Sequence, residues 1–111
     1  MTLPSSTVQN VVSSQSNVLL PKTLTPEIID QLNSGLAEEY TAHYFYRGAA
    51  NWCQGAAYFK AAAFFAEEAA TELTHAEKIQ KYLVDWNCTP TLPSVKFSGK
   101  FDSLIDLSLI H

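Results

Sequence analysis

The chain has 111 residues, 47% of them hydrophobic, with a net charge of −4 and a pI near 5.2. That is enough for one domain with a real core, and it excludes the basic footprint of a nucleic-acid binder or of an anionic-membrane anchor. Cys53 and Cys88 lack CxxC spacing and make no disulfide framework, and no run approaches the ~20 apolar residues of a spanning helix.

Residues 1–24 are rich in Ser, Thr, Gln, Asn and Val, carry Pro4 and Pro21, and show no helical stripe. A flexible tail is expected there. It has no Lys or Arg before Lys22 and no continuous apolar segment, so no signal peptide is expected and the protein is read as cytoplasmic.

The first helix opens at Thr25-Pro26-Glu27: an N-cap, a proline whose missing N–H does no harm at N1, and a carboxylate at the positive helix end. Ile28/Ile29, Leu32, Leu36, Glu39, His43, Tyr46 and Ala50 then recur at steps of three and four, an amphipathic stripe on which Glu39 stands where an apolar residue belongs. Asp30, Asn33, Glu38 and Arg47 lie opposite. The helix is expected to end at 51–55, with Gly55 as the left-handed cap.

A second helix is expected from Ala56 to Val84, driven by its alanines, with the stripe Ala61, Phe65, Glu68, Glu72, His75, Ile79 and Tyr82. The short link predicts an antiparallel hairpin. Residues 87–100, broken by Pro90, Pro93 and Gly99, read as a loop. Helical spacing resumes over 101–111 through Leu104, Ile105, Leu107, Leu109 and Ile110, with Asp102 or Ser103 as cap. The fold class is all-α, with no internal repeat.

Glu72 and His75 form a Glu-x-x-His pair, and residues three apart share a helix face. Glu39 is expected to face them across the hairpin. A buried carboxylate is costly unless paired or metal-bound. Two carboxylates and one imidazole with no cation on the seam suit a divalent metal, iron or manganese rather than structural zinc. The plainer alternative is a Glu–His hydrogen-bonded pair or partly exposed helix residues, and the pattern alone leaves both open. Glu68 reads as a solvated flank, His43 as a packed core histidine, and Tyr46 as core or as a phenol beside a metal. Tyr44, Phe45, Tyr58, Phe59, Phe64 and Phe65 read as packing.

Leu32-Asn33, Glu39 and Ala42-His43-Tyr44-Phe45-Tyr46 resemble the first bundle helix of ferritins, where a ligand Glu precedes by seven residues a Tyr near the iron site. Asn51-Trp52-Cys53 and Ala61-Ala62-Ala63-Phe64 resemble the end of that helix and the start of the next in bacterial non-haem ferritins. Glu72-Leu73-Thr74-His75-Ala76-Glu77-Lys78 resembles the second-helix ferroxidase motif, Glu-x-x-His-Ala-Glu-Lys. The resemblance spans 25–111 and implies a ferritin-like four-helix-bundle domain, here its first antiparallel helix pair, the crossover and the start of the third helix.

By that resemblance Glu39 is a terminal ligand of the first iron, Glu72 bridges two irons, His75 is the imidazole ligand and Tyr46 is the neighbouring tyrosine. The implied activity is oxidation of Fe(II) by oxygen or peroxide at a di-iron centre, with ferric mineral stored in a cage of 24 subunits. Thr71 and Thr74 depart from positions that are often acidic in ferritins, which puts a third iron or nucleation site in doubt. The two helices that complete the family's bundle have no counterpart, so a truncated or incomplete chain is expected. Two other readings stand beside it. One is a short two-helix member that completes its site by dimerising, as encapsulated ferritins do, although Leu104, Ile105 and Leu107 would then be left uncovered. The other is a non-catalytic helical interaction module.

Overall fold

The computed structural model describes residues 23–104, 106 and 107; most of the expected tail, and the expected helical residues Ile105 and 108–111, lie outside them. Two long helices dominate, α1 (Pro26–Gly55) and α2 (Phe59–Asp85), and no strand occurs among the described residues. At 1.5 Å per residue they are about 45 and 40 Å long. Thr25 caps α1 as its sequence predicts: its Oγ1 accepts from the Ile28 N–H at 3.2 Å, and Pro26 stands at the first helical position.

The link between the helices differs from expectation. Gly55 is the last helical residue of α1, and the left-handed position falls on Ala57, with φ of 65°. The Tyr58 N–H bonds the Cys53 carbonyl at 2.8 Å and the Ala57 N–H bonds that of Gln54 at 3.2 Å, the paired bonds of a Schellman motif. Residues 56–58 are therefore spent on reversing the chain, and α2 begins at Phe59 rather than Ala56. Its far end repeats the motif: Asn87 has φ of 61°, the Cys88 N–H bonds the Leu83 carbonyl and the Asn87 N–H bonds that of Val84, both at 2.9 Å.

The two helices pack along seams of alternating three- and four-residue steps. On α1 the seam follows the predicted stripe and extends to Cys53, with Leu36, Ala50 and Cys53 buried. On α2 it runs through Ala62, Phe65, Ala69, Glu72, Ala76, Ile79 and Leu83, and five of these (Ala62, Phe65, Ala69, Ala76, Leu83) are buried. The predicted α2 stripe shares Phe65, Glu72 and Ile79 with this seam but takes the wrong flank, since Tyr82 is exposed where Leu83 is buried. Alanine every seventh residue lets the backbones approach, and that outweighs the larger tyrosine. Of the aromatic residues expected to pack, Phe65 is buried and Phe45 is half-buried, whereas Tyr44, Tyr58, Phe59 and Phe64 are exposed. A helix pair buries one stripe per helix, and these four lie off it.

Residues 88–101 carry no regular structure, as predicted, yet they are tied to α1 at two points. The Asn33 Oδ1 accepts from the Thr91 N–H at 2.8 Å. Farther on, Gly99, with φ of 68°, lies against Gly48, and a Cβ on Gly48 would come within 2.6 Å of Phe97 Cε2 and 2.8 Å of Gly99 Cα. The crossover thus runs alongside α1 in the same direction. Of the two expected caps, Ser103 serves: its Oγ accepts from the Asp106 N–H at 3.0 Å, while Asp106 Oδ2 accepts from the Asp102 N–H at 3.3 Å. Leu104, Asp106 and Leu107 are helical. Leu107 is fully buried among Ala49, Ala50, Cys53, Ala62 and Phe65, with Leu104 partly buried beside it. Of the residues the sequence-based objection names, the hairpin fully buries Leu107 and partly covers Leu104, and Ile105 lies outside the described residues.

Candidate metal centre

Glu39 and Glu72 stand at seam positions of α1 and α2 where an apolar residue would otherwise pack, and His75 is one turn beyond Glu72 at the seam's edge. His75 Nδ1 lies 3.1 Å from Glu72 Oε1 and 3.5 Å from Glu39 Oε1. One donor atom from each of the three residues falls within 4.8 Å of the others. None of the three is fully buried. Their side chains are 29% (Glu39), 21% (Glu72) and 49% (His75) exposed, because the described helices cover the seam from one side only.

The electrostatics set one carboxyl against the other. The Glu39 carboxyl is held above the ordinary value of 4.5, chiefly by its hydrogen bond with the Glu72 side chain, then by burial and by the Glu72 charge, with His75 opposing. Among the described residues no Lys or Arg forms an ion pair with either carboxylate. A protonated His75 balances part of the charge, which is the hydrogen-bonded alternative raised by the sequence. A divalent cation would balance all of it, and Glu39, Glu72 and His75 could each offer it one ligand atom. Two carboxylate oxygens and one imidazole nitrogen suit Fe(II) or Mn(II).

Tyr46, seven residues after Glu39, is partly buried and stacks on Phe65 with centroids 6.1 Å apart. Burial, then the charges of Glu68 and Glu72, push its phenol above the usual tyrosine range, so it stays protonated beside the carboxylates. Glu68 reaches Tyr46 electrostatically but is outside the three-donor cluster. His43 packs into the seam, its Nδ1 2.6 Å from the Ala69 carbonyl oxygen. Gln80 Nε2 donates to the Tyr40 hydroxyl at 2.7 Å. The His43 bond has no counterpart in the sequence pattern, since a backbone carbonyl carries no residue signature.

A family model described as a ferritin-like domain matches residues 29–107, which include all three donors. Bacterial non-heme ferritins from two Escherichia coli strains, O6:H1 and O157:H7, and from Shigella flexneri are each 32% identical over 85 residues, covering 76% of this chain and 52% of the relative. The chain spans about half the length of the curated relatives it matches.

Proposed function

The chain belongs to the ferritin family, and from that premise we propose that it takes Fe(II) as substrate at Glu39, Glu72 and His75 and takes part in its oxidation to Fe(III). One observation carries the reading: two carboxylates and an imidazole from facing helices meet within 4.8 Å. Glu39 is the terminal ligand, Glu72 the carboxylate able to span two irons, and His75 the nitrogen ligand. Tyr46 supplies a neutral phenol that can hydrogen-bond a ligand or lose an electron. Oxygen or peroxide is the oxidant, and the ferric product is stored as mineral in a cytoplasmic cage of 24 subunits. No described helix is long and apolar enough to cross a membrane.

The described helices supply three donors, so a two-iron centre needs others from outside them. A second copy of the chain is one source, and the burial of Leu107 against the hairpin favours keeping that reading. The test is anaerobic Fe(II) titration followed by oxidation, on the wild-type chain and on Glu72→Ala. Saturation at two irons per dimer, lost in Glu72→Ala, supports a site shared between copies. One iron per chain without turnover, lost in Glu72→Ala, supports a half-site completed by further bundle helices. Binding and oxidation in Glu72→Ala equal to wild type overturn the site assignment. No binding by either chain leaves a non-catalytic helical module.

A further inference from the structure

Bringing Glu39 and Glu72 together sets two like charges on opposite helices, so something has to hold those helices in place. The bond from His43 to Ala69 is placed to do so. His43 is one turn from Glu39 on α1, Ala69 is one turn from Glu72 on α2, and the two are 2.6 Å apart between His43 Nδ1 and the Ala69 oxygen. A carbonyl oxygen only accepts, so His43 Nδ1 carries the proton and donates. Ala69 is fully buried and has no side chain beyond Cβ to block the ring. Its carbonyl is fixed by the helix, so the bond sets the height and rotation of α2 itself rather than of a mobile side chain.

We propose that His43 is a positioning residue for the metal centre, pinning α2 to α1 one turn from each carboxylate through its bond to the Ala69 carbonyl. This rests on the metal-binding reading of Glu39, Glu72 and His75. Metal–oxygen distances tolerate only about 0.2 Å, so releasing the pin loosens the ligand set even where the helices stay folded. Residues that orient metal ligands typically change affinity by about 10- to 100-fold when removed.

The experiment is a Co(II) titration of the full chain, followed by visible absorption, with wild type, His43→Asn, His43→Gln, His43→Leu and Glu72→Ala. Thermal unfolding without metal is measured alongside. Asn places an amide N–H near the Nδ1 position, Gln places it one bond too far, and Leu fills the space with no donor. Wild-type affinity and spectrum in His43→Asn, with affinity about tenfold weaker or an altered band in His43→Gln, support the pin. The same loss in a folded His43→Leu with an unchanged unfolding midpoint adds to that support. Should His43→Leu not fold, the Asn and Gln pair decides, because both keep a polar amide in the seam. Equal affinity and spectrum in wild type, His43→Asn and His43→Gln overturn the role of His43. A cobalt band that survives Glu72→Ala, or no band in wild type, overturns the underlying site and the inference with it.

Discussion

Glu39 and Glu72 occupy facing positions in two antiparallel seven-residue patterns, and the Glu72 side chain is the main reason the Glu39 carboxyl is held above 4.5. Seam positions exist to bury apolar side chains, so a carboxylate at this one in both helices works against metal-free stability. Glu39→Gln removes one of the two charges and keeps the shape. The sign follows from the raised value: the folded state holds this proton to higher pH than the unfolded chain. That contribution is complete below the unfolded value of 4.5 and is lost as pH rises through the raised folded value. At neutral pH in chelator, Glu39→Gln is expected to be more stable than wild type by about 0.5 kcal/mol, the scale of a partly exposed charge pair. The gain shrinks as pH falls through the raised folded value toward 4.5 and is gone below it. Thermal melts at the two pH values check it, and a gain independent of pH would count against the charge argument.

On the proposed metal-binding reading, the proton that Glu39 retains competes with the cation. Apparent metal affinity is therefore expected to weaken on acidification while the pH is still above the ordinary Glu value of 4.5. In the Glu39→Gln chain overall affinity is lower, and the part of the pH dependence due to Glu39 is gone. Isothermal titration with Mn(II) at a series of pH values, with a buffer-ionisation correction for released protons, reads both effects.

Much of this was legible from residue order, and the division has a physical cause. The start of α1 was readable because Thr25, Pro26 and Glu27 act within one turn. The convergence of Glu39, Glu72 and His75 was readable because helical periodicity turns spacing into direction. The buried flank of α2 was misread because Ala69 and Ala76 gain burial by being small, and a hydrophobicity stripe weights Tyr82 above them. The burial of Leu107 depends on where a long crossover returns, which no local spacing encodes.

The hairpin link offers a paired test of that kind of misreading. Sequence alone assigns the left-handed residue to Gly55, whereas Ala57 takes it with φ of 65°. Left-handed backbone costs an L-residue roughly 1–2 kcal/mol. Ala57→Gly is thus expected to raise stability by about 1 kcal/mol. Gly55 is helical, and a Cβ there meets nothing within 4 Å. Gly55→Ala is accordingly expected to stabilise by about 0.5 kcal/mol, the usual helix gain over glycine. If Gly55 were the left-handed residue, both signs would reverse. Urea midpoints of the two variants decide between the assignments.

The contact between Gly48 and Gly99 carries the last prediction. Gly48 lies inside α1, where glycine costs stability relative to alanine, so on helix propensity alone Gly48→Ala is a stabilising change. The crossover opposes it: a Cβ would sit 2.6 Å from Phe97 Cε2, which a rotating ring can relieve, and 2.8 Å from Gly99 Cα, which is backbone and cannot swing aside. Overpacking of this kind costs typically 1–3 kcal/mol, more than the propensity gain of roughly 0.5–1 kcal/mol. Net destabilisation of about 1 kcal/mol is expected, concentrated in the crossover. Phe97 and Phe101 both pack on Phe45, with centroids 5.5 and 6.0 Å away, so lifting the crossover also loosens the approach to Leu107. Hydrogen exchange by mass spectrometry on Gly48→Ala should show lost protection over 97–107 and near-wild-type protection in α1 and α2 around Glu39 and Glu72. Uniform loss along both helices would mean that the crossover is not a separate strap on α1, and a stabilised protein would mean that the two glycines are not in contact.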